Sequence, residues 1–464
     1  MNKLLPLACA ALLAGCSFIP GYERPAAPVP AQWPAPDAAA PAPSFAGDWQ
    51  AYFADPQLQK LIAAALEYNR DLRIAVARVE EARLLAGIAR ADRFPTVDVG
   101  AQQQAAHVPG DLSSSGRETT SRRYDVNLGV TAFELDFWGR VASLETAARA
   151  NFFASEFAQR AFRLALIADV AAAYYTHAEL DARVRLAAAT VDSRAASRRL
   201  IEQRRDVGLA TDLDFLAADG AFQNARAETA NLARQLAAAE NALRLLVGTE
   251  SGVVPPRLPD GAAPPAPSFV ALPEIAAGLP AEVLLNRPDV LAAEQKLIAA
   301  NANIGAARAA FLPKIVLTAA LGTASPALSG LFGGGSGAWS FVPVLKWPLF
   351  DAGRSEANVE LAEVRKHIAV AEYEKTIQQA FREVADQLAA RRHYAEQLQA
   401  LAAAEAAQTE RLKRVEARHL GGVASYLELL DAQREQFAAQ QSLLAARRAQ
   451  AATAAGLFKA LGGG

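Results

Sequence analysis

Three short stretches of the chain alternate apolar and polar positions with a period of two. Val97, Val99 and Ala101 alternate with Asp98, Gly100 and Gln102; Tyr124, Val126, Leu128, Val130 and Ala132 alternate with Asp125, Asn127, Gly129 and Thr131; Ile315, Leu317, Ala319 and Leu321 repeat the pattern. Successive strand side chains point to opposite faces, so each stretch predicts a strand with one apolar face. A fourth strand is noisier because Pro343 and Pro348 interrupt it; its Trp339, Phe341 and Trp347 suit an interfacial aromatic girdle. The predicted strands cover about 95–104, 123–135, 313–322 and 338–349. Long Gly/Ser-rich loops, Gln103 to Arg123 and Thr323 to Ala338, separate them in pairs.

Elsewhere the period is helical. No proline occurs from Gly110 to Val254 or from Leu349 to Gly464, although the chain has 25. Helix interiors exclude proline at about 3 kcal/mol, so these tracts can hold very long helices. Leu361, Val364, Ile368 and Ala371 follow 3-4-3 spacing, and Ile377, Phe381, Val384 and Leu388 resume it, as in a coiled-coil seam. A helix running from about Gly353 to Arg418 would reach on the order of 100 Å. The predicted helices cover about 57–93, 139–206 and 211–247, then about 288–311, 353–419 and 424–460.

These elements recur. Ala89 to Pro95 corresponds to Ala307 to Pro313. At a constant offset of 214 positions Gly139-Arg140 matches Gly353-Arg354, Gly208 matches Gly422, Leu213 matches Leu427, Asp214 pairs with Glu428, and Gly248 matches Gly462. The chain therefore divides into two repeats, 57–248 and 281–464, each reading helix, strand, strand, long helix, helix. A linker with eight prolines, 249–280, joins them, and 16–56 forms an N-terminal tether and equatorial segment.

Residues 1–15 read as a signal peptide: Lys3, a short apolar run, then Leu13-Ala14-Gly15 before Cys16. A cysteine can follow such a run by chance, but the complete order marks a lipobox. Cys16 is then the lipidation site, carrying diacylglycerol and N-palmitate, with no other cofactor expected. Ser17 after it favours the outer over the inner membrane, and acyl chains supply stable anchoring in outer membrane lipid. Net charge is -2 from 47 Lys+Arg against 49 Asp+Glu, which excludes nucleic-acid binding by bulk electrostatics. The five histidines are scattered singly, so no metal or catalytic cluster is expected. No nucleophile motif or phosphate loop is present either, and the chain is not read as an enzyme.

A lipid-exposed sheet must close, because unpaired edge groups cost several kcal/mol each in hydrocarbon, and the smallest membrane barrels need about eight strands. One chain offers four, so it must pool strands with identical copies.

The lipobox, Pro20-Gly21-Tyr22-Glu23-Arg24-Pro25, Asn286-Arg287-Pro288-Asp289 with Ala293-Glu294, the run Ile304 to Phe311, and Leu429-Leu430-Asp431-Ala432-Gln433-Arg434 resemble the TolC-like outer membrane factors. The nearest branch is the OprM-like lipoprotein channels of multidrug efflux. The resemblance implies a mixed, mainly α fold: a homotrimer whose twelve-stranded outer membrane β-barrel continues as a twelve-helix periplasmic α-barrel. Its partners would be a periplasmic adaptor (membrane fusion protein) and an inner-membrane pump, commonly of the resistance-nodulation-division type.

The resemblance also names sites. Val207, Gly208 and Leu209, and Gly421, Gly422 and Val423, would be helix tips that meet the adaptor; the bland alternative is ordinary turns. Leu427 and Asp431, with Glu428 and Arg434, would form the periplasmic gate. The alternative is a solvated helical face with an Asp431–Arg434 pair. Asp214 would latch the gate through Arg418 and His419. The same fold serves type I protein secretion, and a pore-free coiled-coil scaffold is a third reading, although it leaves the strands and the repeat unexplained.

Overall fold

The computed structural model describes residues 17–31, 33, 49–114, 116–249 and 281–463. The described elements run α1 (Trp49–Tyr52), α2 (Pro56–Tyr68), α3 (Arg70–Ala91), β1 (Val97–Val108), β2 (Thr119–Leu135), α4 (Arg140–Asp206), α5 (Asp212–Val247), α6 (Pro288–Ala309), β3 (Lys314–Ser325), β4 (Gly337–Lys346), α7 (Arg354–Leu420) and α8 (Tyr426–Ala460), with short 3-10 turns at Ala281–Asn286 and Leu328–Gly330. Cys16, the signal peptide and nearly all of the proline-rich linker lie outside the described residues. No helix among those described is long and apolar enough to cross a membrane.

The chain forms two compact units. One gathers the residues up to Ala26 with Arg78–Glu156 and Ala292–Glu374; the other gathers Ala27–Ala77, Phe157–Leu291 and Lys375–Gly464.

The first unit carries the sheet, antiparallel throughout in the order β1-β2-β3-β4. Its register aligns Val99, Leu128, Leu321 and Trp339 on one face, with Val97, Val130, Ala319 and Phe341 in the next row. The opposite face carries Asp98, Gly100, Gln102, Asp125 and Asn127. Gly322 is required where β3 meets β2, because a Cβ there would stand 2.0 Å from the Val126 carbonyl oxygen. Pro343 is tolerated because β4 is an edge strand within the chain.

The alternation predicted for β2 fails at its end. Between Val130 and Phe133 the register slips by one residue, and Ala132 takes a positive φ of 54°. This bulge moves Phe133 and Leu135, rather than Ala132, onto the face of Leu128. It also leaves Glu134 on the polar face, where it accepts from Arg140 at 2.7 Å and pairs with Lys314 at 2.7 Å.

The segment just after Cys16 lies along α6 in this same unit. Tyr22 and Arg24 both donate to Glu294, at 2.9 and 2.7 Å, and Asn301 donates to the Pro20 carbonyl. Gly305 leaves the space that Ile19 fills, since a Cβ would sit 2.6 Å from it. Where α6 faces α4, Ala147, Ala150, Ala299 and Ala302 permit close helix approach.

The second unit is held by an apolar cluster around α2. Asp55 caps that helix, accepting from the Gln57 and Leu58 amides, and Pro56 stands in its first turn. Leu58, Leu61, Ile62 and Ala65 then recur on one buried face, against Val170 and Ala171 of α4, Leu243 and Val247 of α5, and Phe458 of α8. Each large aliphatic side chain buried this way contributes about 1.5–3 kcal/mol. The single helix expected over about 57–93 is broken at Asn69. Its buried amide accepts from the Leu72 amide and donates to the Leu246 carbonyl, which satisfies the chain where α2 stops and α3 starts.

Arg287 ties three further segments of this unit together. Its guanidinium donates to Asp289 and Glu383 at 2.7 and 2.8 Å and to the Ala460 carbonyl, near the end of α8, at 2.7 Å. Arg287 is buried while both carboxylates stay partly exposed. Arg287→Ala should therefore destabilise the fold by about 2–3 kcal/mol, below the full cost of breaking a buried pair. Guanidinium unfolding measures the loss, and Arg287→Lys should recover less than half of it, because an ammonium lacks the planar fork.

Candidate functional site

The two helix reversals of the second unit share one hydrogen-bond pattern. After α4, Gly208 N donates to Arg205 O at 2.9 Å and Leu209 N to Arg204 O at 2.7 Å; after α7, Gly422 N donates to His419 O at 3.0 Å and Val423 N to Arg418 O at 2.9 Å. Each is a Schellman stop with glycine in the left-handed region, φ 76° at Gly208 and 75° at Gly422. Gly421 has no positive φ, so the first glycine of the pair is not demanded by backbone conformation. Exposed apolar side chains crowd both reversals: Val207, Leu209 and Leu213 on one, Leu420, Val423 and Leu427 on the other.

The helices that follow start alike and then diverge. Thr211 caps α5 and exchanges hydrogen bonds with Asp214 in a capping box. Those bonds, from the Thr211 backbone amide first and then its hydroxyl, hold the Asp214 carboxyl below the usual carboxylate range. Ser425 caps α8, accepting from the Glu428 amide at 3.1 Å, but the Glu428 carboxylate turns instead to Arg418 at 3.2 Å. His419 Nδ1 lies 3.0 Å from the Ala424 carbonyl oxygen, with its ring 6.0 Å from that of Tyr426. Within one chain, then, the polar link expected between Asp214 and Arg418 or His419 is not made. The cap at Thr211 is closer in sequence and needs no tertiary fit.

Asp431 is held from two sides. Arg411 of α7 and Arg434 of α8 each donate to it at 2.8 Å. The Arg411 hydrogen bond, helped by the charge of Arg434, keeps the Asp431 carboxyl below its ordinary value. The Asp431–Arg434 pair expected of a plain helical surface is present, and Arg411 adds a bridge between α7 and α8 that sequence reading missed. Leu427, one turn earlier, packs against little of its own chain, with 73% of its surface exposed. Beneath it Ile201, Ala218, Val415, Tyr426, Leu429 and Ala432 form an apolar cluster joining all four long helices.

Both seams of α4 mix apolar and polar contacts. α4 meets α5 through Leu180, Ala187, Leu232 and Leu236, all buried, and through the Arg198–Asp219 pair at 2.6 Å. α4 meets α8 through apolar clusters at Val170 with Phe458 and at Ile201 with Leu429 and, between them, through polar rungs: Arg194 with Gln433, Arg183 with Gln441 at 2.7 Å, and Glu179 with Arg448 at 3.1 Å.

The family model for outer membrane efflux proteins matches residues 61–249 and 279–463 of the chain. The chain belongs to this family. It is 45% identical over 472 residues to the solvent efflux pump outer membrane protein SrpC of Pseudomonas putida, covering 100% of this chain and 98% of that protein. A crystal structure of a membrane protein from Pseudomonas aeruginosa superposes with a TM-score of 0.88 at 43% identity, covering 96% of this chain and all of that one. The open-state structure of the Neisseria gonorrhoeae MtrE outer membrane channel superposes with a TM-score of 0.84 at 37% identity, covering 97% and 98%. This outer membrane efflux protein thus has the mainly helical fold of the TolC-like channels with a small set of strands. It acts in efflux at the outer membrane and is not an enzyme.

Two outcomes follow from the tip geometry. Gly422→Ala should cost about 1 kcal/mol because its φ is positive, whereas Gly421→Ala should be neutral or slightly stabilising; thermal unfolding of each variant separates them. For Asp431, a lowered folded pKa means that the stabilising bridge is complete above the unfolded value, about 3.9, and is lost as pH falls through the lower folded value. Thermal stability recorded across that acid window should fall as the bridge protonates, and Arg411→Gln should reproduce the loss at neutral pH.

Proposed function

We propose that this efflux protein is a homotrimeric conduit. Three copies pool their strands into a twelve-stranded barrel in the outer membrane, and their long helices form a twelve-helix periplasmic barrel. The observation that carries this reading is the open sheet of the first unit: four strands, with β1 and β4 as unpaired edges and an apolar face of Val97, Val99, Leu128, Leu321, Trp339 and Phe341. Such a sheet cannot stand alone in hydrocarbon, and a neighbour's β1 against β4 satisfies both edges. The opposite face, with Asp98, Gln102, Asp125 and Asn127, would line a water-filled bore.

Small toxic molecules pass through without covalent chemistry. An inner-membrane pump, of the resistance-nodulation-division type, supplies them, and a periplasmic adaptor meets the tips at Val207, Gly208, Leu209, Gly421, Gly422 and Val423. The exposed apolar side chains at both reversals support that contact. Leu427 and Asp431 would ring the axis as the gate, flanked by Glu428 and Arg434 and opened by iris-like movement of the helix tips. The resemblance to a solvent efflux pump component favours small apolar cargo over secreted polypeptide.

Lipid on Cys16 would anchor the assembly. Pro20 and Arg24 are strapped along α6, whose end leads directly into β3, which supports an anchor close to the sheet. The purified protein should run as a heat-resistant trimer on a detergent gel and give stepwise ion conductance in planar bilayers. A monomer that leaves bilayers silent overturns the reading.

A further inference from the structure

A cavity of about 380 Å³ opens between α4, α5 and α8 immediately beside the gate residues. Its apolar walls include Ala225, Leu427, Leu430 and Phe437, and its polar lining combines Thr190 and Asn224 with the charged Arg194, Asp431, Arg434 and Glu228. The volume lies in the range of small-molecule sites, which pair apolar walls with a few polar groups. Arg194 distinguishes it from a packing gap. The residue is only 8% exposed, and among the described residues its guanidinium makes one hydrogen bond, to Gln433, with no carboxylate at ion-pair distance. Arginines are almost never buried to this degree unpaired, because the charge loses its hydration without compensation. The other charges do not serve it: Asp431 is neutralised by Arg411 and Arg434, and Glu228 stays partly exposed. The hydroxyl of Tyr426 is also buried with no hydrogen-bond partner among the described residues.

We propose that this groove is a binding site for a compact apolar anion, its carboxylate or sulfonate on Arg194 and its hydrocarbon body against Leu427, Leu430 and Phe437. The proposal deepens the channel reading, because an occupant would tie α8, which carries Leu427 and Asp431, to α4 and α5. It stands on binding alone, however, so its failure is distinguishable from absence of a pore.

The test is calorimetric titration of the nanodisc-reconstituted trimer with three probes of equal bulk: 2-naphthoate, neutral 2-naphthamide and cationic 2-naphthylmethylamine, each corrected against empty nanodiscs. The expected result is saturable binding with naphthoate at least ten-fold tighter than either of the others. Arg194→Gln should remove that preference, and Ala225→Leu, which leaves Arg194 in place and fills the groove, should weaken naphthoate at least ten-fold. Both variants are compared as heat-resistant trimers. Preference for the cation, unchanged affinity in both variants, or no saturable binding because a second copy fills the groove would each overturn the proposal.

Discussion

Backbone amides and carbonyls on a sheet edge need partners, and hydrocarbon supplies none. The four-stranded sheet of this protein is hydrogen-bonded within itself across three pairings and leaves β1 and β4 open. In water those edges would be solvated at little cost; in an outer membrane protein each open group is a penalty of several kcal/mol. On the proposed homotrimer, subunit association is the condition under which this sheet enters the bilayer with both edges paired.

The helical part is joined by apolar clusters and polar rungs together. Buried leucines between α4 and α5 resist separation, since pulling them apart exposes apolar surface at about 25 cal/mol per Å². The polar rungs from α4 to α8 use charged groups, and each such hydrogen bond contributes about 1.5–3 kcal/mol. The bridge from Arg411 to Asp431 adds a charged tie where α8 begins.

The large features were legible in the chain because they rest on period. Alternation in 97–101 and 315–321 marked strands, proline-free tracts marked the long helices, and the glycines at 208 and 422 marked both reversals. What escaped has no period. Asn69 splits a helix through its own side-chain hydrogen bonds, with no proline or glycine to announce it. Arg411 and Arg194 take their meaning from residues on other helices. Asp214 was assigned a long-range tie, whereas Thr211 three positions before it, a capping pattern plainly present in the sequence, claims its carboxylate within this chain. Arg287 appeared only as part of a family signature; the contact that explains it spans 173 positions.

The extra residue at Ala132 has an evolutionary corollary. It works as a half-step in the phase of β2: downstream of it, odd-numbered positions hold the apolar side only because one residue was added. Losing a single codon there would rotate Phe133 and Leu135 onto the polar face and turn Glu134 to the apolar one, although no side chain had been replaced. Length changes in this hairpin are therefore viable in compensating pairs, and relatives should vary in loop length far more freely than in the spacing between Val130 and Arg140.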